Sequence, residues 1–218
     1  MTETKTLAVL ISGNGSNLQA IIDAINTDRI AARIAVVISN TSGAFGLQRA
    51  RHHRIDTEVI DHRQFAERDA FDTALGECLA HHTPNLIVLA GFMRILGREF
   101  VLKHSQRIVN IHPALLPNYP GLNTHQRALE DGVERHGATV HYVTADLDSG
   151  PIIIQGAVPV NPDDTVDSLQ QRVLQEEHRI YPLAIDWHLQ DRLTMRGNHV
   201  LLDGEIRPEQ GLDIIGPG

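Results

Sequence analysis

Strand-like apolar runs alternate with helix-like segments through the first 111 residues. The pattern then changes after Pro113 to a proline-spaced loop and two extended runs separated by a tight turn. The alternation predicts an α/β fold of parallel βαβ units, because parallel strands need crossovers and helices then cover both faces of the sheet. The change predicts that antiparallel strands are added toward the C-terminus, so the sheet is mixed.

Residues 6–11 are an apolar, β-rich run of buried-strand length. A Gly-rich turn follows, and then Leu18, Ile21, Ile22 and Ile25 recur at helical spacing. Residues 34–39 repeat the strand signal, 45–53 read as a short helix and 57–60 as a third strand. A long helix over 64–82 stops at Thr83-Pro84, since the residue before a proline avoids the helical region. Strands at 85–90 and 107–111 flank a helix at 97–105. Beyond the loop HPALLPNYPG come a helix at 123–131 and strands at 138–144 and 151–160. Asp164, Thr165 and Asp167 can start a helix whose stripe is Val166, Leu169, Val173 and Leu174, with Pro182 expected to kink or interrupt it near Tyr181. Residues 199–218 offer one short strand and a loose Gly/Pro tail.

A chain of 218 residues with 42% hydrophobic residues can fill a core without disulfides or metals, and no repeat, low-complexity block or linker divides it. A single domain over 1–218 is expected. Lys+Arg 19 against Asp+Glu 27 leaves a net charge of −8, which disfavours general binding to nucleic acid or to anionic membranes. Cys78 has no partner for a disulfide, which fits a reducing compartment. The first residues lack a signal-peptide pattern, and no apolar run is long enough to span a bilayer, so a soluble cytoplasmic protein is expected.

Three stretches can carry chemistry. Ser12-Gly13-Asn14-Gly15-Ser16-Asn17, between a strand and a helix, has the glycines and helix N-terminus that suit a phosphate. Leu18 stands where the dinucleotide fingerprint needs glycine, and no Gly-Lys-Ser/Thr is present, so nicotinamide and ATP readings weaken. A plain βα turn capped by Ser16 or Asn17 explains the same residues. Asn110 and His112, at i and i+2 near a strand end, share one face and could serve an oxyanion and a proton. A histidine anchoring the loop before Pro113 would look the same. The turn Leu147-Asp148-Ser149-Gly150-Pro151 could set a carboxylate beside His112, or be a turn only. Among 13 histidines the adjacent pairs His52-His53 and His81-His82 are poorly spaced for one ion, so no metal is expected. No Gly-x-Ser-x-Gly elbow occurs, and Cys78 reads as core.

Together LISGNGSNL, LAGFMRIL, NIHPALLP and HGATVHYVTADLDSGPII resemble the glycinamide ribonucleotide transformylases, the phosphoribosylglycinamide formyltransferases that use 10-formyltetrahydrofolate. The likeness runs from about residue 6 to about residue 204. It implies a Rossmann-like three-layer αβα formyltransferase fold, with a nucleotide-binding half at 1–111, a folate-binding and catalytic-loop half at 112–204, and a tail at 205–218. It also implies formyl transfer from 10-formyltetrahydrofolate to the amine of glycinamide ribonucleotide in purine biosynthesis.

Residue by residue, the resemblance implies Asn110, His112 and Asp148 as catalytic. Gly15, Ser16 and Asn17 would bind the phosphate, and Glu177 would meet the nucleotide. Arg68, Met93, Arg94, Ile95, Leu96, Thr144, Ala145, Asp146, Leu147 and Asp148 would meet folate. Asn118 and Asn123 stand where relatives carry lysine and histidine, whereas His125 and His141 are kept. The family often forms homodimers, so a homodimer is admitted. A 10-formyltetrahydrofolate hydrolase would keep the site and use water. Transfer to methionyl-tRNA or to a sugar nucleotide would call for an added domain, and tRNA suits an acidic chain poorly. A non-catalytic nucleotide-binding module would leave Asn110, His112 and Asp148 without a joint explanation.

Overall fold

In the computed structural model, which describes residues 4–206 and 213–215, the chain divides into two units, Met1–Asn110 and Ile111–Gly218. The first unit alternates as the apolar runs require. It holds β1 (Lys5–Ile11), α1 (Ser16–Asn26), β2 (Ala32–Ser39), α2 (Gly46–His52), β3 (Thr57–Val59), α3 (Arg68–His82), β4 (Leu86–Leu89), α4 (Arg98–Lys103) and most of β5 (Ile108–His112). Its strands lie in the order β5-β4-β1-β2-β3 and every pairing is parallel. Leu7 to Ile11 in β1 and Leu86 to Val88 in β4 are fully buried, as expected of central strands covered on both faces. The strand order reverses between β1 and β4, which places the loops after these two strands at the crevice where such sheets take ligands.

The helix expected over 64–82 begins at Arg68. Asp61 accepts a hydrogen bond from the Arg63 amide and closes a 3-10 turn, His62–Gln64, and Phe65 is then extended, which separates the turn from α3. At the far end Thr83 adopts φ 44°, and Pro84 cannot continue the helix.

The second unit contains α5 (Thr124–Glu130), β6 (Arg135–Tyr142), β7 (Ile152–Pro159), α6 (Val166–Leu189), β8 (Leu193–Arg196), β9 (His199–Leu202), β10 (Glu205–Ile206) and β11 (Asp213–Ile215). β6 and β7 pair antiparallel, from Arg135 opposite Pro159 to His141 opposite Ile152, as the tight turn between them requires. The α6 stripe of Leu169, Val173, Ile180, Ala184 and Ile185 is buried where the helix packs against β6 and β7. Thr165 caps it reciprocally with Ser168, a capping box worth about 1 kcal/mol.

Two expectations for the second unit are overturned. α6 runs continuously through Pro182, which is buried with Tyr181 and Ile185, so the expected interruption near Tyr181 does not occur; packing of that face outweighs the one intrahelical bond that a proline removes. Residues 193–206 form a three-stranded antiparallel sheet, β10-β9-β8, rather than one strand. Two-residue turns make it, Gly197-Asn198 with Gly197 at φ 63°, and Asp203-Gly204 with φ 56° and 81°. Within the supposed loose tail, β11 pairs parallel with β7, Ile214 opposite Gly156, and so supplies backbone partners to a strand edge. Residues 207–212 and 216–218 of that tail lie outside the described residues.

Candidate active site

In the first unit the loop after β1 departs from a plain capped turn. The N-cap of α1 is Gly15, at φ 75°, and it makes no side-chain cap bond; Ser16 and Asn17 are already inside the helix. The alternative of a turn capped by Ser16 or Asn17 is therefore not what the helix shows. The start of an 11-residue helix, with its N–H groups aligned and no side-chain cap from the N-cap residue, suits an anion. Gly15 is also where the backbone comes closest to α2. A Cβ there would lie 2.7 Å from the Gly46 Cα, and the Gly46 amide donates to the Gly13 carbonyl at 3.0 Å. The Arg49 guanidinium, over the Phe45 ring at 5.0 Å, donates to the Asn14 carbonyl and to its side-chain oxygen, each at 3.0 Å. A cation thus sits beside the loop.

The loop after β4 presents Met93 and Ile95 outward, 69% and 52% exposed, while Leu96 is buried. The Ser12 hydroxyl accepts from the Met93 amide at 2.7 Å and donates to Asn40 Oδ1 at 2.6 Å. At the other end Asp72, buried in α3, accepts from the Gly97 amide at 2.6 Å. Burial holds the Asp72 carboxyl above the usual carboxylate range, opposed by the Gly97 bond and by the charges of Arg68 and Arg94. The Arg94 guanidinium lies over the Phe71 ring at 4.6 Å, and Arg68 is exposed in the first turn of α3. Asn110, half-buried in β5, pairs with Leu89.

In the second unit His112 is 5% exposed at the carboxyl end of β5, and both its ring nitrogens face oxygens. Nε2 donates to the Tyr119 carbonyl at 2.8 Å, and Nδ1 stands 3.4 Å from Asp148 Oδ2. The same carboxylate oxygen accepts from the Gly121 amide at 2.9 Å. The carboxylate and the imidazole, 36 positions apart, are therefore brought together, with Asp148 at φ 49° in a conformation aspartate tolerates better than most residues. Irregular backbone can stay buried here because Thr139 and Gln155 satisfy it. Thr139 Oγ1 donates to the Ala114 carbonyl at 2.6 Å and accepts from the Leu116 amide at 3.0 Å, and Gln155 donates to the Leu116 carbonyl at 2.9 Å.

The rest of the loop 144–148 is partly open, with Thr144 and Ala145 half-buried and Asp146 and Leu147 exposed. Ser149 Oγ donates to the Asp146 carbonyl at 3.1 Å. Glu177 is buried midway along α6. Asn118 is exposed and Asn123, at φ 57°, is the N-cap of α5 without a side-chain bond, so neither is fixed as a relay. His125 and His136 meet edge to face at 5.2 Å, and Tyr119 meets His136 at 5.8 Å. Burial pulls the His136 imidazole down to about 4 and lowers His125 and His141 as well. Cys78 is half-buried in α3, where burial raises its thiol and disfavours a nucleophilic thiolate. Among the described residues no group of three or more His, Cys, Asp or Glu is placed to hold a metal ion, and no helix is long and apolar enough to cross a membrane.

Sequence reasoning did not single out Asn40, Arg49, Asp72 or the Tyr119 carbonyl, nor the bond that Ser12 makes to Met93. Ser12 stood within the recognised Gly-rich run, whereas Asp72 looked like any polar residue of a helix. Nothing in sequence marks a backbone carbonyl as a partner.

The formyl transferase family model matches residues 5–185. Over 94% of this chain the sequence is 50% identical to the phosphoribosylglycinamide formyltransferase of Escherichia coli (strain K12), covering 97% of that protein. The phosphoribosylglycinamide formyltransferase of Coxiella burnetii, solved in complex with CHES, is 49% identical with a TM-score of 0.92 and covers 96% of this chain and 98% of its own. A formyltetrahydrofolate deformylase from Pseudomonas syringae pv. tomato reaches a TM-score of 0.86 at 26% identity, with 92% of this chain and 66% of that one covered. The Rossmann-like α/β fold, mostly parallel with antiparallel strands in its C-terminal part, is the one these relatives share, and the chain belongs to the formyl transferase family.

Proposed function

We propose that the chain transfers the formyl group of 10-formyltetrahydrofolate to the primary amine of glycinamide ribonucleotide, giving formylglycinamide ribonucleotide and tetrahydrofolate in purine biosynthesis. The observation that carries this reading over other formyl acceptors is the 50% identity across 97% of a phosphoribosylglycinamide formyltransferase. The deformylase likeness is weaker in identity and leaves a third of that protein uncovered. A cytoplasmic homodimer without metal belongs to the same proposal.

The amine attacks the formyl carbon, negative charge gathers on the formyl oxygen, and the C–N10 bond breaks as the proton lost by the amine passes, through water or His112, to N10. Asn110 and His112 stabilise that oxygen; one such donor is worth about 3–4 kcal/mol, on the order of 10²–10³ in rate. In the free protein the Nε2–H of His112 is held by the Tyr119 carbonyl, so the formyl oxygen takes that carbonyl's place while Asp148 keeps hold of Nδ1. Asp148 orients the ring, its carboxylate 3.4 Å from Nδ1. The backbone at the start of α1, at Gly15, Ser16 and Asn17, receives the nucleotide phosphate, with Arg49 near. Glu177 meets the nucleotide, and Arg68, Met93, Arg94, Ile95, Leu96 and the loop 144–148 take the folate.

Deformylation of a 10-formylfolate analogue, followed by absorbance with and without glycinamide ribonucleotide, tests this. Nucleotide-dependent loss with one formylated nucleotide per folate is expected, and His112→Ala should lower turnover about 10²-fold or more with folate affinity nearly kept. Loss without nucleotide would make the chain a hydrolase. Full turnover in His112→Ala would refute the assignment of that residue.

A further inference from the structure

We propose that Ser12 and Asp72 are positioning residues that clamp the two ends of the 93–96 segment, and that Ser12 couples this segment to the Gly-rich loop. The proposal rests on the reading above, in which 93–96 meets the folate and the Gly-rich loop the nucleotide phosphate.

The segment exposes two large apolar side chains, Met93 and Ile95, and such a strip keeps its shape only if its backbone is held. Two side chains from distant parts of the sequence hold it. The Met93 amide donates to Ser12 Oγ at 2.7 Å, and the Gly97 amide donates to Asp72 Oδ2 at 2.6 Å. The Ser12 hydroxyl has a single proton, and Asn40 Oδ1 takes it at 2.6 Å, which turns the oxygen's lone pair toward Met93. The Ser12 amide in turn donates to the Gly91 carbonyl at 3.0 Å. Ser12 is therefore bonded on both sides to the chain entering the segment, and it is also the first residue of the loop that leads to Gly15, Ser16 and Asn17.

At the far end the fit is tight. A Cβ on Gly97 would lie 2.6 Å from Asp72 Oδ2, so glycine is what lets the carboxylate reach the amide. Asp72 is 7% exposed, and its Oδ1 is buried without a hydrogen-bond partner. A carboxylate is costly to bury in that state, and a helix surface would accept an apolar residue at lower cost. Its orientation toward Gly97, in the field of Arg68 and Arg94, gives the residue a task beyond packing.

Ser12→Ala and Asp72→Ala, compared with Ser12→Thr and Asp72→Asn, test the clamp in the full chain. The probes are a 10-formylfolate analogue and glycinamide ribonucleotide, with separate KM and kcat. Loss of one such bond is worth roughly 3- to 10-fold in affinity. Ser12→Ala is expected to raise the folate KM by about 10-fold and the nucleotide KM by about 3-fold, whereas Asp72→Ala raises the folate KM by about 10-fold and leaves the nucleotide KM alone. Threonine keeps the hydroxyl and asparagine keeps an acceptor, so both should return the folate KM to within about 3-fold of wild type. A folded Ser12→Ala with an unchanged folate KM, or with a fall in kcat alone, would overturn the proposal. If Asp72→Ala does not fold, the Ser12 pair decides. Absence of folate binding by the wild-type chain would remove the functional reading itself, and the clamp with it, and is told apart because it appears before any substitution.

Discussion

Gly15→Ala is the substitution for which backbone geometry and function make linked demands. Gly15 has φ 75°, and an alanine held in the left-handed region costs about 1–2 kcal/mol. The added methyl would lie 2.7 Å from the Gly46 Cα and 3.6 Å from Arg49 Cδ. Carbon atoms rest at about 3.5–4.0 Å, so α1 and α2 would have to part by close to 1 Å, an overpacking strain of about 1–3 kcal/mol. A total near 3 kcal/mol should lower Tm by about 10 °C in a chain of this size without unfolding it at 25 °C. Because the moved backbone forms the N-terminus of α1, the nucleotide KM should rise about 10-fold or more while the folate KM changes little. Gly13→Ala is the matched control: a Cβ there meets nothing within 4 Å, and Tm should stay within about 2 °C of wild type. Thermal unfolding and two-substrate kinetics on both variants check this. A Gly15→Ala protein that melts with the wild type, or whose two KM values rise together, would refute the reasoning.

Asp148→Asn keeps an acceptor for the Gly121 amide but removes the charge facing His112 Nδ1, so kcat should fall about 10²-fold with both KM values nearly kept. Steady-state rates decide it, and an unchanged kcat would separate Asp148 from the chemistry. His136, 1% exposed, takes its proton near pH 4 when folded and near 6.5 when unfolded. Between those values the unfolded chain binds more protons, so the contribution is complete above about pH 6.5 and lost as pH falls toward 4, at most about 3 kcal/mol. The wild-type denaturant midpoint should fall relative to that of His136→Phe as pH is lowered across that window, and parallel curves would show that the imidazole does not titrate there.

The parallel half of the fold was legible because its strands are buried on both faces. Leu7 to Ile11 and Leu86 to Leu89 need no alternation to be recognised, and Thr83-Pro84 marks a helix end in any context. The failures have local causes. Pro182 carries an intrinsic helix penalty, but α6 is held by a buried face on two strands, and packing outweighs one missing bond. Gly197-Asn198 and Asp203-Gly204 are hairpin signals, but the Gly and Pro content around them masks the short strands they join. β11 owes its place to the edge of β7, a partner 58 residues away that no local pattern announces.

The site divides along a similar line. Asn110 and His112 could be paired from strand period alone, since neighbours at i and i+2 share a face, and Gly15 to Asn17 from the chemistry of a helix N-terminus. What sequence could not supply is the second layer. Asp148 stands 3.4 Å from His112 in a loop with φ 49° at the aspartate, and the loop after β5 brings the Tyr119 carbonyl to Nε2. Ser12 and Asp72 matter through the amides of Met93 and Gly97, and amides have no letter in a sequence. The imidazole's second contact carries a mechanistic consequence. With Nε2 donating to a neutral carbonyl and Nδ1 facing a carboxylate at 3.4 Å, the ring is held in one orientation. In the proposed reaction the formyl oxygen would take the place of the Tyr119 carbonyl, one acceptor replaced by another that gains charge as the reaction proceeds. The bond strengthens in the transition state more than in the bound substrate, which is the condition for raising kcat rather than only lowering KM.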